Sequence, residues 1–155
     1  MTPAARRLCL CLVPVVSVAL GACAPAVPED RPFVRVSSGS TFSGLTTVTI
    51  TADDRVLRED HEVTPDAGGT RTRRLAAEPG RHAAARALAE AAWPDLLAAT
   101  AALPEDRFAS CPTDLGTQSV TVEPPIAGVA TVEGACGPEG VRDLMAGILR
   151  LAPFP

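Results

Sequence analysis

The sequence predicts an α+β domain. The expected form is an antiparallel sheet built from two hairpins, with a kinked Ala-rich helix and a C-terminal helix on one face, in the order ββ(β)-α-ββ-α. Three observations carry this. Stretches within 33–59 and 119–133 alternate apolar with hydroxyl or charged residues, the period of a half-buried strand. From Arg81 onward the apolar period lengthens to three or four residues, and it does so again after Pro138. A sheet with one apolar face is completed by helices that lay their own apolar stripes against it.

Taken in order, residues 33–36 form a short alternating strand. Residues 46–51 follow a Ser/Gly-rich stretch and put Val48 and Ile50 on one face with threonines on the other. Ala52-Asp53-Asp54 turns the chain into 55–59, the optional third strand. Residues 60–80 read as a loop carrying Pro65, Gly68, Gly69 and the arginines Arg71, Arg73 and Arg74, none of them core. In the first helix Ala85, Leu88, Ala92, Leu96, Ala99 and Leu103 make the stripe. Pro94 interrupts it and predicts a kink, or two abutting helices, near Trp93, because proline lacks the backbone donor and crowds the preceding turn. Residues 119–123 and 129–133 form the second hairpin, turned by Pro124-Pro125-Ile126-Ala127. Pro138 and Glu139 open the last helix, where Val141, Leu144, Met145, Ile148 and Leu149 share a face and Arg150 suits the helix dipole. Each half runs hairpin then helix, but no internal repeat is strong enough to name.

The N-terminus has a different organisation. Arg6 and Arg7 precede an apolar run, 8–20, that is shorter than the roughly 20 apolar residues of a permanent membrane helix and contains Pro14. The run ends in Leu20-Gly21-Ala22-Cys23. This arrangement resembles the lipobox of bacterial lipoproteins, and the resemblance implies cleavage before Cys23 and lipidation of that cysteine. Residues 1–22 are then a removed signal peptide, 23–32 a lipidated cysteine with a Pro-rich tether, and 33–155 a single small domain. Ala24 follows Cys23 where lipoproteins kept in the inner membrane tend to carry aspartate. The expected location is therefore the outer membrane, facing the periplasm, with the inner membrane or cell surface as alternatives. Two or more acyl chains make such anchoring firm.

Composition narrows the function. The 155-residue chain has a net charge of -4, and loss of Arg6 and Arg7 with the signal makes the remainder two units more negative. Such a domain is not expected to bind nucleic acid, whose phosphates demand clustered cations. Every cation is arginine, and lysine, tyrosine and asparagine are absent, which excludes Schiff-base lysines, tyrosine acids and asparagine oxyanion donors. Of the five cysteines, Cys9 and Cys11 leave with the signal and Cys23 is lipidated, so Cys111 and Cys136 are expected to form a disulfide in an oxidising compartment. The closed loop predicts roughly 3–4 kcal/mol of stabilisation.

Ser38-Gly39-Ser40-Thr41-Phe42-Ser43-Gly44-Leu45 resembles the Ser-Gly-Gly-Phe-x-Gly opening of small bacterial emfourin-type metallopeptidase inhibitors. Residues 114–123 with the closing helix, 141–151, are similar to their Asp-containing strand and terminal amphipathic helix. The resemblance implies a compact α/β domain and suggests inhibition of thermolysin-like proteases. The glycine motif is longer here, the aromatic after the central aspartate is missing, and the disulfide and the arginine loop are additional.

No catalytic constellation is legible. Asp60-His61-Glu62 are adjacent and point in different directions, so they read as solvated residues and not as metal ligands. His82 opens the Ala-rich helix and reads as surface decoration. Ser37, Ser38, Ser40 and Ser43 lack an elbow motif, and Gly68-Gly69 lacks a phosphate-loop lysine. Arg71, Arg73 and Arg74 either grip phosphate groups or form a solvated loop. Phe42 is expected to insert into the core, the alternative being an apolar tip offered to a protein partner. No cofactor or metal is expected. The functional expectation is a lipid-anchored periplasmic binding or structural module acting on an unknown protein partner, with a protease inhibitor or, less favoured, a small hydrolase as alternatives.

Overall fold

The computed structural model describes residues 31–40, 42–63, 69–106 and 116–154. Residues 1–30, which hold the expected signal peptide, Cys23 and most of the expected tether, lie outside the described residues, as does Cys111. Eight elements follow one another: β1 (Phe33–Ser40), β2 (Gly44–Thr51), β3 (Val56–His61), β4 (Thr70–Leu75), α1 (Arg81–Ala101), β5 (Thr117–Ile126), β6 (Val129–Glu133) and α2 (Gly140–Arg150).

The strands make one sheet in the order β4-β3-β2-β1-β5-β6, with every neighbouring pair antiparallel. The α+β class is as expected, but the first unit is a four-stranded meander, not a hairpin with an optional third strand. β3 continues through Asp60 and His61, and β4 occupies part of what the sequence presents as loop. The reason is legible in the composition of β4. Its Thr-Arg-Thr-Arg-Arg run has no apolar alternation, and only Leu75 packs against the core, so it is held as a strand by its ladder to β3.

Register aligns Val132, Val120, Val36 and Val48 across four strands, and Val122, Val34, Ile50 and Val56 across the next row, with Leu75 opposite Val56. All but Leu75 are buried. Ala85, Ala89, Trp93 and Leu96 of α1 and Val141, Leu144, Met145 and Ile148 of α2 complete this core. Full burial of one Val or Ile side chain contributes about 1.5–3 kcal/mol, so this layer dominates stability. The opposite face carries Thr47, Thr49, Thr121 and Thr131, with Arg35 reaching Thr49 Oγ1 at 3.1 Å and lying over the Phe33 ring.

Two helix expectations change. α1 runs unbroken from Arg81 to Ala101 with Pro94 inside it, so two abutting helices do not form. Pro94 and Glu90, whose carbonyl loses its partner, are both exposed, where water satisfies the orphaned acceptor. The buried stripe of α1 is Ala85, Ala89, Trp93 and Leu96, whereas Leu88 and Ala99 are exposed. Alanine on every side of this helix leaves no contrast from which to choose a face. In α2 the expected face holds, except that Leu149 is exposed.

Candidate functional site

The β1–β2 turn carries Phe42, the most exposed large hydrophobic among the described residues. Ser40 Oγ accepts the backbone N–H of Phe42 at 3.2 Å and of Ser43 at 3.0 Å. Ser43 Oγ accepts the Ser40 N–H at 3.2 Å, and the two hydroxyls are 2.9 Å apart. These reciprocal bonds replace water on the turn backbone and brace it. Phe42 is 81% exposed. Core insertion is therefore corrected: the residue sits beyond the ends of β1 and β2, where no helix among the described residues covers it.

The base of the turn is closed by backbone contact. A Cβ on Gly39 would lie 2.0 Å from the Gly44 carbonyl oxygen, and one on Gly44, at φ 81°, would lie 2.1 Å from that of His61. Only glycine permits this approach. The serines were readable in the sequence, but their mutual bonding, which holds Phe42 outward, was not.

Adjacent polar residues do not converge. Asp60 points to the helix-bearing side, where its carboxylate accepts from Thr46 Oγ1 at 2.8 Å and from Arg58 Nε at 2.9 Å, with Arg73 Nη2 at 3.5 Å. Burial raises its pKa, but the Thr46 hydrogen bond and the Arg58 and Arg73 charges outweigh that and hold the carboxyl below its ordinary value. His61 points to the other face, with Nδ1 2.9 Å from Thr70 Oγ1. Glu62 reaches Arg71 at 3.7 Å. Only His61 diverges: Asp60 and Glu62 pair with Arg73 and Arg71 on one side of β4, and Asp60 and His61 are strand residues and not loop residues.

Arg71 and Arg73 lie on one side of β4 and Arg74 on the other, since alternate strand residues face opposite ways. The three do not surround a single phosphate. Among the described residues no group of histidines, cysteines and carboxylates has the arrangement of a metal site.

At the opposite end of the sheet His82 differs from expectation. It is partly buried, its Nε2 has no hydrogen-bond partner, and burial depresses its pKa against the opposing pull of Asp54. Cys136 sits at φ 54° in the turn after β6.

Comparison with known proteins returned no matching family model, curated protein or solved structure.

Proposed function

We propose that this chain is a lipid-anchored periplasmic binding module that acts by protein contact, and that its contact is the inhibitory docking of the Phe42 turn into a peptidase. The observation that carries the reading is a fully projecting aromatic on a turn braced by Ser40 and Ser43. A pre-ordered apolar anchor binds without a further cost of ordering the loop, and single aromatic anchors dominate many interfaces. The emfourin-like residues around Phe42 support the inhibitory form.

The anchor and the turn are compatible. The tether enters at Phe33, and the eight residues of β1 separate that point from the turn by roughly 25 Å. Lipid on Cys23 would hold the Phe33 end towards the membrane and leave Phe42 facing the periplasm. The same compartment supports pairing of Cys111 with Cys136. The β5–β6 ladder continues to a bond from Gly134 N–H to the Gln118 carbonyl, so Cys136 stands beside the start of β5, into which the chain leads from Cys111.

The test is inhibition of a thermolysin-like metallopeptidase and of a subtilisin-like serine peptidase by the full-length protein in detergent micelles. Inhibition of the first, weakened by about thirtyfold or more in Phe42→Ala, is the expected result for an interface anchor. Absence of inhibition in both assays removes the inhibitory role. Retained inhibition in Phe42→Ala removes the Phe42 anchor.

A further inference from the structure

We propose that the outer edge of β4 is a strand-docking site for an extended acidic peptide segment of a partner protein. This surface is separate from the Phe42 turn. β4 ends the sheet, and among the described residues no strand pairs with its outer side. The other edge, β6, is a five-residue strand whose partner ladder contains a register shift, so β4 is the longer regular edge.

The register identifies which backbone groups face outward. Glu62 N–H donates to the Gly69 carbonyl at 3.1 Å, which places Glu62 opposite Gly69 in a hydrogen-bonded pair continuous with the β3–β4 ladder. Hydrogen-bonded and non-bonded pairs alternate along an antiparallel ladder. Arg71, Arg73 and Leu75 therefore direct their backbone groups at Asp60, Arg58 and Val56. Thr70, Thr72 and Arg74 direct theirs away from the sheet. An incoming strand would meet those three N–H and C=O sets, the mode by which extended peptides add to a sheet edge.

The side chains select the partner's charge. Three of the six β4 residues are arginine and none is acidic, in a chain whose net charge is -4. Arg74 has no ion-pair partner among the described residues. Arg73 shares Asp60 with Arg58, and the carboxylate already accepts from Thr46, so one negative charge serves two guanidinium groups. Arg71 is 65% exposed, and among the described residues its one ion-pair contact is the long one to Glu62. The main helix contacts fall on β1, β2 and β5, which leaves Arg71 and Arg73 open on the helix-bearing side, while Arg74 lies on the opposite face. A second copy of β4 would bring arginine against arginine, so the edge disfavours self-pairing and favours alternating acidic sequence.

The experiment uses the full-length protein in detergent micelles and a synthetic octapeptide of alternating glutamate and valine, with a lysine–valine octapeptide as control. The expected result is salt-sensitive binding of the acidic peptide, with slowed amide exchange at Thr72 and Arg74. Thr72→Pro deletes an outward N–H and no β3 bond, so it should weaken binding by about tenfold with the fold retained. Arg74→Glu should weaken it comparably, and Phe42→Ala should leave it unchanged. If Thr72→Pro fails to fold, Arg74→Glu and the exchange pattern decide. Equal binding of the lysine peptide, unchanged exchange at Thr72 and Arg74, or a dimer joined through β4 overturns the proposal.

Discussion

Asp54 caps α1 from outside the helix: its Oδ1 accepts the backbone N–H of His82 at 2.8 Å and its Oδ2 that of Gly80 at 2.9 Å. The N-cap residue, Gly80, has no side chain with which to do this. The carboxylate that replaces it comes from the β2–β3 turn, so one residue joins the meander to the helix that crosses it. Asp54 itself takes φ 62°, a conformation aspartate tolerates better than most residues. Arg81 strengthens the junction through the carbonyls of Asp54 and Ala76 and the carboxylate of Glu78.

Asp54→Ala is accordingly expected to lower the thermal midpoint and to speed amide exchange in the first turn of α1. Asp54→Asn should recover most of the midpoint, because asparagine caps nearly as well without the charge. Equal midpoints for Asp54→Ala and the unmodified chain would show that the cap contributes nothing.

Stability should fall with acidification in two stages. Burial lowers the folded pKa of His82 below its ordinary 6.5, so its contribution is complete above 6.5 and is lost as pH falls through the folded value. The carboxyls of Asp54 and Asp60 are held below 3.8, by the His82 and Gly80 amides for Asp54 and by Thr46 and Arg58 against burial for Asp60. Their contribution is present above 3.8 and disappears as pH falls through their folded values. Thermal midpoints measured across this range should lose the upper stage in His82→Gln and keep the lower one.

Trp93 is fully buried, its indole N–H has no partner, and it is the sole tryptophan. Trp93→Ala should cost about 3–5 kcal/mol by leaving a cavity between α1 and the sheet. Trp93→Phe should cost clearly less, since no hydrogen bond is broken and an unsatisfied donor is removed. Denaturant titration followed by circular dichroism separates the two.

Gly44→Ala combines a left-handed backbone with a Cβ placed against the His61 carbonyl, and should destabilise the domain by at least about 1 kcal/mol. Phe42→Ala should leave denaturant stability within about 0.5 kcal/mol, because an exposed side chain has little packing to lose. A reversed order of these two would contradict the described turn.

Double replacement of Cys111 and Cys136 by serine should lower stability by roughly 3–4 kcal/mol and leave lipid attachment at Cys23 unchanged. Mass spectrometry of the membrane fraction tests both cysteine assignments, expecting a chain that begins at lipidated Cys23 and carries no free thiol. Retention of residues 1–22 would end the lipoprotein reading.

The sequence by itself determined the strands whose apolar residues alternate, above all those containing Val34, Val36, Val48 and Ile50, and the face of α2 centred on Val141, Leu144 and Ile148. In each, local periodicity is a direct image of one buried side. It also determined that His61 points away from Asp60 and Glu62, because alternate strand residues face opposite ways. Only the tertiary structure decided that Arg71, Arg73 and Arg74 stand on an edge strand, that Trp93 and not Leu88 faces the sheet, that Asp54 caps a helix more than twenty residues away, and that Phe42 projects. Each of these depends on a partner distant in the chain or on the absence of a covering element, and neither leaves a periodic trace in the residues themselves.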